Sequence, residues 1–192
     1  MQAELKKTRH AYSLTLLAQD RPALFATIAG VLAGWGMSIM KADAFANAAG
    51  IVLDTFHFVD LHRTFELNPG EAGRFRQSLT DVVSGRAPLE PLLKARTHAA
   101  QARPPKVTVP TKIRFDDESS AHSTLLEILT QDRPGLLYEI GSALSRLGCN
   151  IEVALIDTEG QKAIDVFYLT KSGGKLTPEF QHRIATEFWG RI

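Results

Sequence analysis

The residues of this chain best suited to bind a ligand are a carboxylate, a guanidinium and a proline that occur in the same order at two places. They are Asp20-Arg21-Pro22 and Asp132-Arg133-Pro134, and each precedes an amphipathic segment that predicts a helix. Amide groups at a helix N-terminus bind a carboxylate, and aspartate accepts hydrogen bonds from an ammonium group. Together these groups match a small zwitterion such as a free amino acid.

Both motifs belong to a long internal repeat. Residues 19–42 match residues 131–154 at an offset of 112, with ten identical positions. After a one-residue slip, Asp54 and Phe56 recur as Asp165 and Phe167. A period of this length is too long for a solenoid and indicates two copies of one small domain, here termed copy one and copy two.

Each copy predicts the order strand, helix, strand, strand, helix. The shared motif predicts the start of the first helix, with Asp as its cap and Pro in its first turn. Glycines at Gly34, Gly36 and Gly148 predict the ends of these helices. In copy one we expect strands at 12–18, 37–46 and 51–59, followed by a second helix at 70–83. In copy two we expect strands at 123–129, 150–157 and 163–170, followed by a second helix at 178–189.

The segment between the copies is rich in proline and predicts a linker at 85–106, with a short helix at 89–102. A strand at about 111–116 is then expected to return to copy one as its closing strand. We therefore expect domain one to comprise 8–84 plus 107–117, and domain two to comprise 118–192. Strand, helix, strand, strand, helix, strand is the ferredoxin-like βαββαβ order, so the predicted class is α+β, with two antiparallel sheets carrying helices on one face.

Composition excludes several classes of protein. A net charge of +1, from 22 basic and 21 acidic residues, disfavours nucleic-acid and membrane surfaces. No apolar run approaches the ~20 residues of a membrane span, and the N-terminus does not resemble a signal peptide. The single Cys149, expected to fill a small buried space, excludes an internal disulfide, so we expect a cytoplasmic protein. No catalytic or metal-binding group is predicted.

The candidate ligand site combines a helix N-terminus with an acceptor. In copy two, the other half of the pocket is expected either from Asn150 to Glu152, where Asn150 suits an amide side chain, or from the partner copy. Copy two is expected to be the better site because Gly135 allows closer approach than Ala23. The candidate ligand-binding residues are Asp132, Arg133, Pro134, Gly135, Leu136, Leu137, Asn150 and Ile151, with Asp20, Arg21, Pro22, Ala23, Leu24 and Ser38 in copy one.

A structural interpretation of the same residues stays open. Aspartate before a helix is an ordinary cap, and a capping carboxylate occupies the amides that a ligand would need. Asp54 and Asp165 are expected to be structural, either near an exposed strand end or paired. Phe56 and Phe167 are expected to pack under helices and not to stack on RNA bases.

The motif Asp-Arg-Pro-Gly-Leu-Leu, after an alternating strand and at the start of an amphipathic helix, resembles the ACT domain. The paired copies are more closely similar to the C-terminal tandem of the bifunctional PII uridylyltransferase and uridylyl-removing enzymes. The segments that carry this similarity are 18–32, 52–60, 88–93, 109–128 and 131–148.

The resemblance implies a regulatory module that senses an amino acid, most specifically glutamine, in nitrogen signalling. It implies that catalytic domains elsewhere in a longer chain, which would need a divalent metal, uridylylate and de-uridylylate the PII protein. The implied partners are those catalytic domains and PII itself, and a homo-oligomer through sheet edges is a further candidate. The phosphohydrolase type requires a histidine directly followed by an aspartate, and none of the six histidines of this chain precedes an aspartate.

Two other functions remain open. The chain could be an amino-acid sensor of another pathway, acting without these catalytic domains. It could also be a docking or oligomerisation module whose edge strands pair with partner chains.

Overall fold

The computed structural model describes residues 1–9, 11–97 and 108–189. The elements in chain order are β1 (Gln2–Lys7), β2 (Tyr12–Gln19), α1 (Leu24–Gly34), β3 (Met37–Ala46), β4 (Ile51–Asp60), α2 (Thr64–Leu67), α3 (Glu71–Val83), α4 (Glu90–Thr97), β5 (Lys112–Asp116), β6 (Thr124–Gln131), α5 (Leu136–Arg146), β7 (Asn150–Glu159), β8 (Lys162–Thr170) and α6 (Pro178–Trp189).

All eight strands form a single antiparallel sheet in the order β1-β2-β4-β3-β7-β8-β6-β5. Buried and exposed side chains alternate along the inner strands, so one face carries the helices and the core. The predicted α+β class with antiparallel strands is confirmed. The two expected sheets are continuous with each other because β3 pairs with β7 across the copies.

A pseudo-twofold axis relates the copies. Asp43 pairs with Leu155, its own equivalent at the repeat offset of 112. The first helices α1 and α5 therefore pack antiparallel on the sheet, and small residues bring them close. A Cβ at Gly30 would lie 2.8 Å from the Tyr138 ring, and one at Gly141 would lie 3.1 Å from Ala26.

The assignment of the strand at 111–116 to copy one is wrong. β5 pairs with β6 of copy two, with Ile113 opposite Ile128. The equivalent place in copy one is taken by β1, where Ala3 lies opposite Leu16. Sequence periodicity missed β1 because this edge strand is exposed on both faces. Each unit thus has the order ββαββα, with its edge strand before the repeated segment.

The linker carries a helix that packs on copy one. α4 confirms the predicted short helix over Glu90–Thr97, and residues 98–102 of that prediction lie outside the described residues. Leu89 and Leu92 lie against α1, where a Cβ at Gly30 or Gly34 would approach them to 2.6 and 2.8 Å.

The repeated aromatic residues lie in the core. Phe56 and Phe167 are fully buried on the helix-covered face, and Phe25 of α1 contacts both rings. The prediction that they pack under helices is confirmed, and they are not available for base stacking.

Candidate functional site

The shared motif forms a tight turn before each first helix. In copy two the Leu136 amide donates to the Arg133 carbonyl at 3.1 Å, and Gly135 adopts a left-handed φ of 83°. In copy one the Leu24 amide donates to the Arg21 carbonyl at 3.2 Å, and Ala23 adopts a φ of 63°. Proline at the second position and a left-handed third residue are typical of a type II turn.

This geometry corrects two predictions. The N-caps are Ala23 and Gly135, and neither helix has a side-chain capping hydrogen bond, so Asp20 and Asp132 are not caps. The prolines precede the helices, because a proline restrains the residue before it to extended backbone and favours a turn there. The first-turn amides, which lack carbonyl partners within a helix, are therefore not satisfied by the motif carboxylates.

The glycine has a conformational role. A Cβ at Gly135 would meet no atom within 4 Å, so the space above the turn is open. Glycine suits this position because left-handed backbone costs an L-residue roughly 1 kcal/mol. Ala23 carries that cost in copy one.

The two motif arginines differ in their contacts. Arg133 binds Glu139 through two hydrogen bonds of 2.6 Å. Copy one has Thr27 at the position of Glu139, and there Arg21 lines a surface cavity. The Arg133 guanidinium therefore holds the first turn of α5, whereas Arg21 points to a different environment.

Two buried carboxyls lie close to the motif. Asp54 and Asp165 are 3% and 1% exposed, on the helix-covered face of β4 and β8. Burial raises the pKa of each to about 7, with repulsion from Asp20 acting on Asp54 and repulsion from Asp132 acting on Asp165. Burial also raises the pKa of Asp132. Each copy thus places a half-buried aspartate beside a fully buried one.

The expectation that Asp165 is near an exposed strand end or paired is wrong. It lies between Ile128 and Ile156 in the sheet register. Among the described residues, its Oδ1 atom has no hydrogen-bond partner. Burial favours the protonated form of this side chain over the charged one.

Asn150 does not complete the site of its own copy. It pairs with Thr170, whereas Gln131, next to Asp132, pairs with Lys162 at the opposite end of β8. A strand of this length separates the two ends by about 25 Å.

Copy one contributes at the Asp132 end instead. The Thr158 hydroxyl donates to the Ile39 carbonyl at 3.5 Å, which places Ser38 at that end of the sheet. The pseudo-twofold axis likewise places Asn150 and Ile151 at the Asp20 end. This arrangement agrees with the alternative in which the partner copy supplies the other half of the ligand pocket.

A surface cavity of about 490 Å³ lies in copy one beside the motif. It is lined by Met1, Ala3, Ala18, Gln19, Arg21, Leu24, Arg76, Thr80, Val83, Ser84 and Arg86. Copy two has larger side chains at equivalent positions, Ile113 for Ala3 and Thr130 for Ala18. These side chains reduce the corresponding space there.

Metal-binding clusters, membrane-spanning helices and a reactive cysteine were also sought in the described part of the chain. In residues 1–9, 11–97 and 108–189, no cluster of three or more His, Cys, Asp or Glu side chains could hold a metal. Within the same ranges, no helix is long and apolar enough to cross a membrane. Cys149 is half-buried, and burial raises the pKa of its thiol to about 11, so it is not a thiolate at neutral pH.

Known proteins resemble this chain in sequence. Residues 124–176 match the ACT domain model. The bifunctional uridylyltransferase/uridylyl-removing enzyme of Gluconobacter oxydans is 36% identical over 162 residues, which are 84% of this chain and 17% of that enzyme. The enzyme of the same name from Azospirillum brasilense is 35% identical over 179 residues, 91% of this chain and 19% of that enzyme. These similarities confirm the expected resemblance, and the chain spans about a fifth of the length of these relatives.

The crystal structure of aspartate kinase from Synechocystis is similar to this chain with a TM-score of 0.47 and 12% sequence identity. The similarity covers 95% of this chain and 27% of the kinase chain.

Proposed function

We propose that this chain is a regulatory module that binds a free amino acid, glutamine, and controls a PII uridylyltransferase/uridylyl-removing activity in nitrogen signalling. The observation that carries the proposal is the uncapped N-terminus of α5, which lies beside the Asp132–Asp165 carboxyls in the segment that matches the ACT domain. The relatives named above are enzymes of this dual activity, and the chain corresponds to one part of them.

The two ends of a zwitterion suit two parts of this site. The amides of the first turn of α5 would bind the carboxylate of the ligand, favoured by the helix dipole. Asp132 would accept from its ammonium group. Ser38 of copy one would contact the amide side chain of glutamine, because a hydroxyl both donates and accepts.

The affinity needed is modest. A metabolite sensor requires a dissociation constant of roughly 0.1 to 1 mM, about −4 to −5.5 kcal/mol. A few charge-assisted hydrogen bonds of about 1.5 to 3 kcal/mol each suffice after ordering costs. No cofactor takes part, and the divalent metal that catalysis needs would be held by catalytic domains outside this chain.

Regulation would use the interface between the copies. A ligand that touches the turn of copy two and β3 of copy one binds one packing of α1 on α5 better than another. Such differential affinity is what shifts a conformational equilibrium. The catalytic domains of a longer chain, and PII itself, are the partners that would respond in the cytoplasm.

A thermal-shift screen of the chain against the twenty amino acids tests this function. We expect a selective rise in melting temperature with glutamine at about 10 mM, since ligand in excess over the dissociation constant stabilises the folded state. A selective response to a different amino acid would support the sensor of another pathway. No response to any amino acid would contradict amino-acid sensing.

Three variants then assign the copy. Gly135→Ala should weaken glutamine binding measured by calorimetry, whereas the matched Ala23→Gly should not. Ala3→Ile, which copies Ile113 and fills the cavity of copy one, should leave binding unchanged. Loss of binding in Ala3→Ile alone would place the ligand in copy one.

Docking is a second candidate function, and the uncovered sheet face favours it. Leu17, Leu53 and Phe45 are 43%, 47% and 48% exposed and lie side by side on β2, β4 and β3. An apolar row of this kind suits a protein partner. The sheet edges favour docking less, because β1 and β5 carry exposed charges such as Lys7 and Lys112 that oppose strand addition.

A further inference from the structure

The buried carboxyl of Asp165 is costly unless something outside the described chain satisfies it. Its Oδ1 atom has no hydrogen-bond partner among the described residues, and its strand neighbours Ile128 and Ile156 are apolar. An unsatisfied buried polar group is destabilising, and an apolar side chain of similar size would avoid that cost. An aspartate here is therefore suited to a hydrogen-bond donor supplied by a ligand.

The charges around Asp165 favour a cationic donor. Asp132, half-buried at the start of the turn, is the charged group that acts on Asp165, and its effect is repulsive. Arg133 favours the charged form of Asp132, but its guanidinium is shared with Glu139 on the first turn of α5, to which it donates two hydrogen bonds of 2.6 Å. The neighbouring strands present Ile128 and Ile156 to the carboxyl. Two adjacent acids attract a positive group.

We propose that the Asp132–Asp165 pair binds the ammonium group of a zwitterionic ligand, with Asp165 as the buried acceptor. This inference rests on the proposed amino-acid sensing and names the residue that the motif alone does not reveal. Asp132 is on the solvent side of the pair, so the ligand enters past the Arg133–Gly135 turn. Its carboxylate then lies at the N-terminus of α5, and its ammonium reaches the buried oxygen.

Binding transfers one proton to solvent. Before binding, Asp165 is largely protonated below neutral pH because burial raises its pKa. An ammonium group beside it favours the carboxylate, so the O–H bond of Asp165 breaks and the proton leaves to buffer. The ligand keeps all three ammonium hydrogens, and the product is a carboxylate–ammonium pair. Ligand binding is therefore linked to release of up to one proton.

A double-mutant comparison isolates this contact. Calorimetry measures the affinity of glutamine and of glutaramate, the same skeleton without the α-ammonium, for the wild-type chain and for Asp165→Asn. We expect wild type to prefer glutamine by about 10- to 100-fold, the range of a charge-assisted hydrogen bond. Asp165→Asn should lose most of that preference while binding glutaramate as wild type does.

The matched control is Asp54→Asn, the equivalent position in copy one. It should keep the wild-type preference for glutamine if copy two holds the ligand. Loss of the preference in Asp54→Asn with no change in Asp165→Asn would overturn the assignment to Asp165.

Proton release provides a readout that needs no variant. The apparent binding enthalpy of glutamine at pH 6 should differ between phosphate and imidazole buffers by the difference in their heats of ionisation for up to one proton, and this difference should vanish in Asp165→Asn. This inference would be overturned if wild type bound glutamine without releasing a proton and Asp165→Asn kept the wild-type preference for glutamine over glutaramate. Wild type that binds neither compound would overturn the proposed function itself.

Discussion

Replacing the buried carboxyls by asparagine should make the protein more stable at pH 8 than wild type. The folded-state pKa of Asp54 and of Asp165 is about 7, whereas an aspartate in the unfolded chain titrates near 3.9. Below about pH 4 both states are protonated and these groups cost nothing. As pH rises from about 4 to 7 the unfolded chain loses these protons and the folded chain keeps them, so the free energy of unfolding falls. Above pH 7 the loss is complete.

The magnitude follows from the pKa difference. About three pKa units correspond to at most about 4 kcal/mol for each carboxyl, at 1.36 kcal/mol per unit. The asparagine amide must itself be buried, which costs about 1 to 3 kcal/mol without a partner. We therefore expect a net gain of about 1 to 3 kcal/mol for each variant at pH 8, and a loss of about 1 to 3 kcal/mol at pH 4.

Urea denaturation of wild type, Asp54→Asn, Asp165→Asn and the double variant at pH 4, 6 and 8 measures this effect. The control is Asp157→Asn, whose side chain is exposed, and it should not reproduce the gain in stability at pH 8. If Asp165→Asn were less stable than wild type at pH 8, the carboxylate would be ionised and partnered in the folded state, and the reasoning would be refuted.

Three further predictions concern the turns and the helix contacts. Ala23→Gly should stabilise the protein by about 1 kcal/mol and Gly135→Ala should destabilise it by about as much, because both residues have left-handed backbone. If urea denaturation showed that Ala23→Gly destabilises the protein and Gly135→Ala stabilises it, the turn assignment would be contradicted. Ala3→Ile should raise the melting temperature by filling the cavity, and a fall would show that the space cannot accept the side chain. Gly34→Ala should destabilise by about 1 to 3 kcal/mol, because its Cβ would lie 2.8 Å from Leu92; limited proteolysis that shows no greater cleavage near α4 would contradict this.

Local patterns determined the elements well. The helix predicted at 178–189 is α6 as observed, and the repeat by itself marks the positions of both motif turns. These features depend on residues close in sequence, where periodicity and turn chemistry act. The same local pattern suggests aspartate as a cap, whereas the restraint that proline places on the preceding backbone makes a turn there instead.

Tertiary structure decided the rest. The partner of β5, the continuity of the sheet through β3 and β7, and the position of Ser38 at the Asp132 end are set by pairing between distant residues. Strand pairing leaves no signature within one short segment, so the sequence by itself could not choose among partners. Asp165 has the pattern of an ordinary strand residue in the sequence, and only its burial beside Asp132 gave it a shifted pKa and an unsatisfied oxygen.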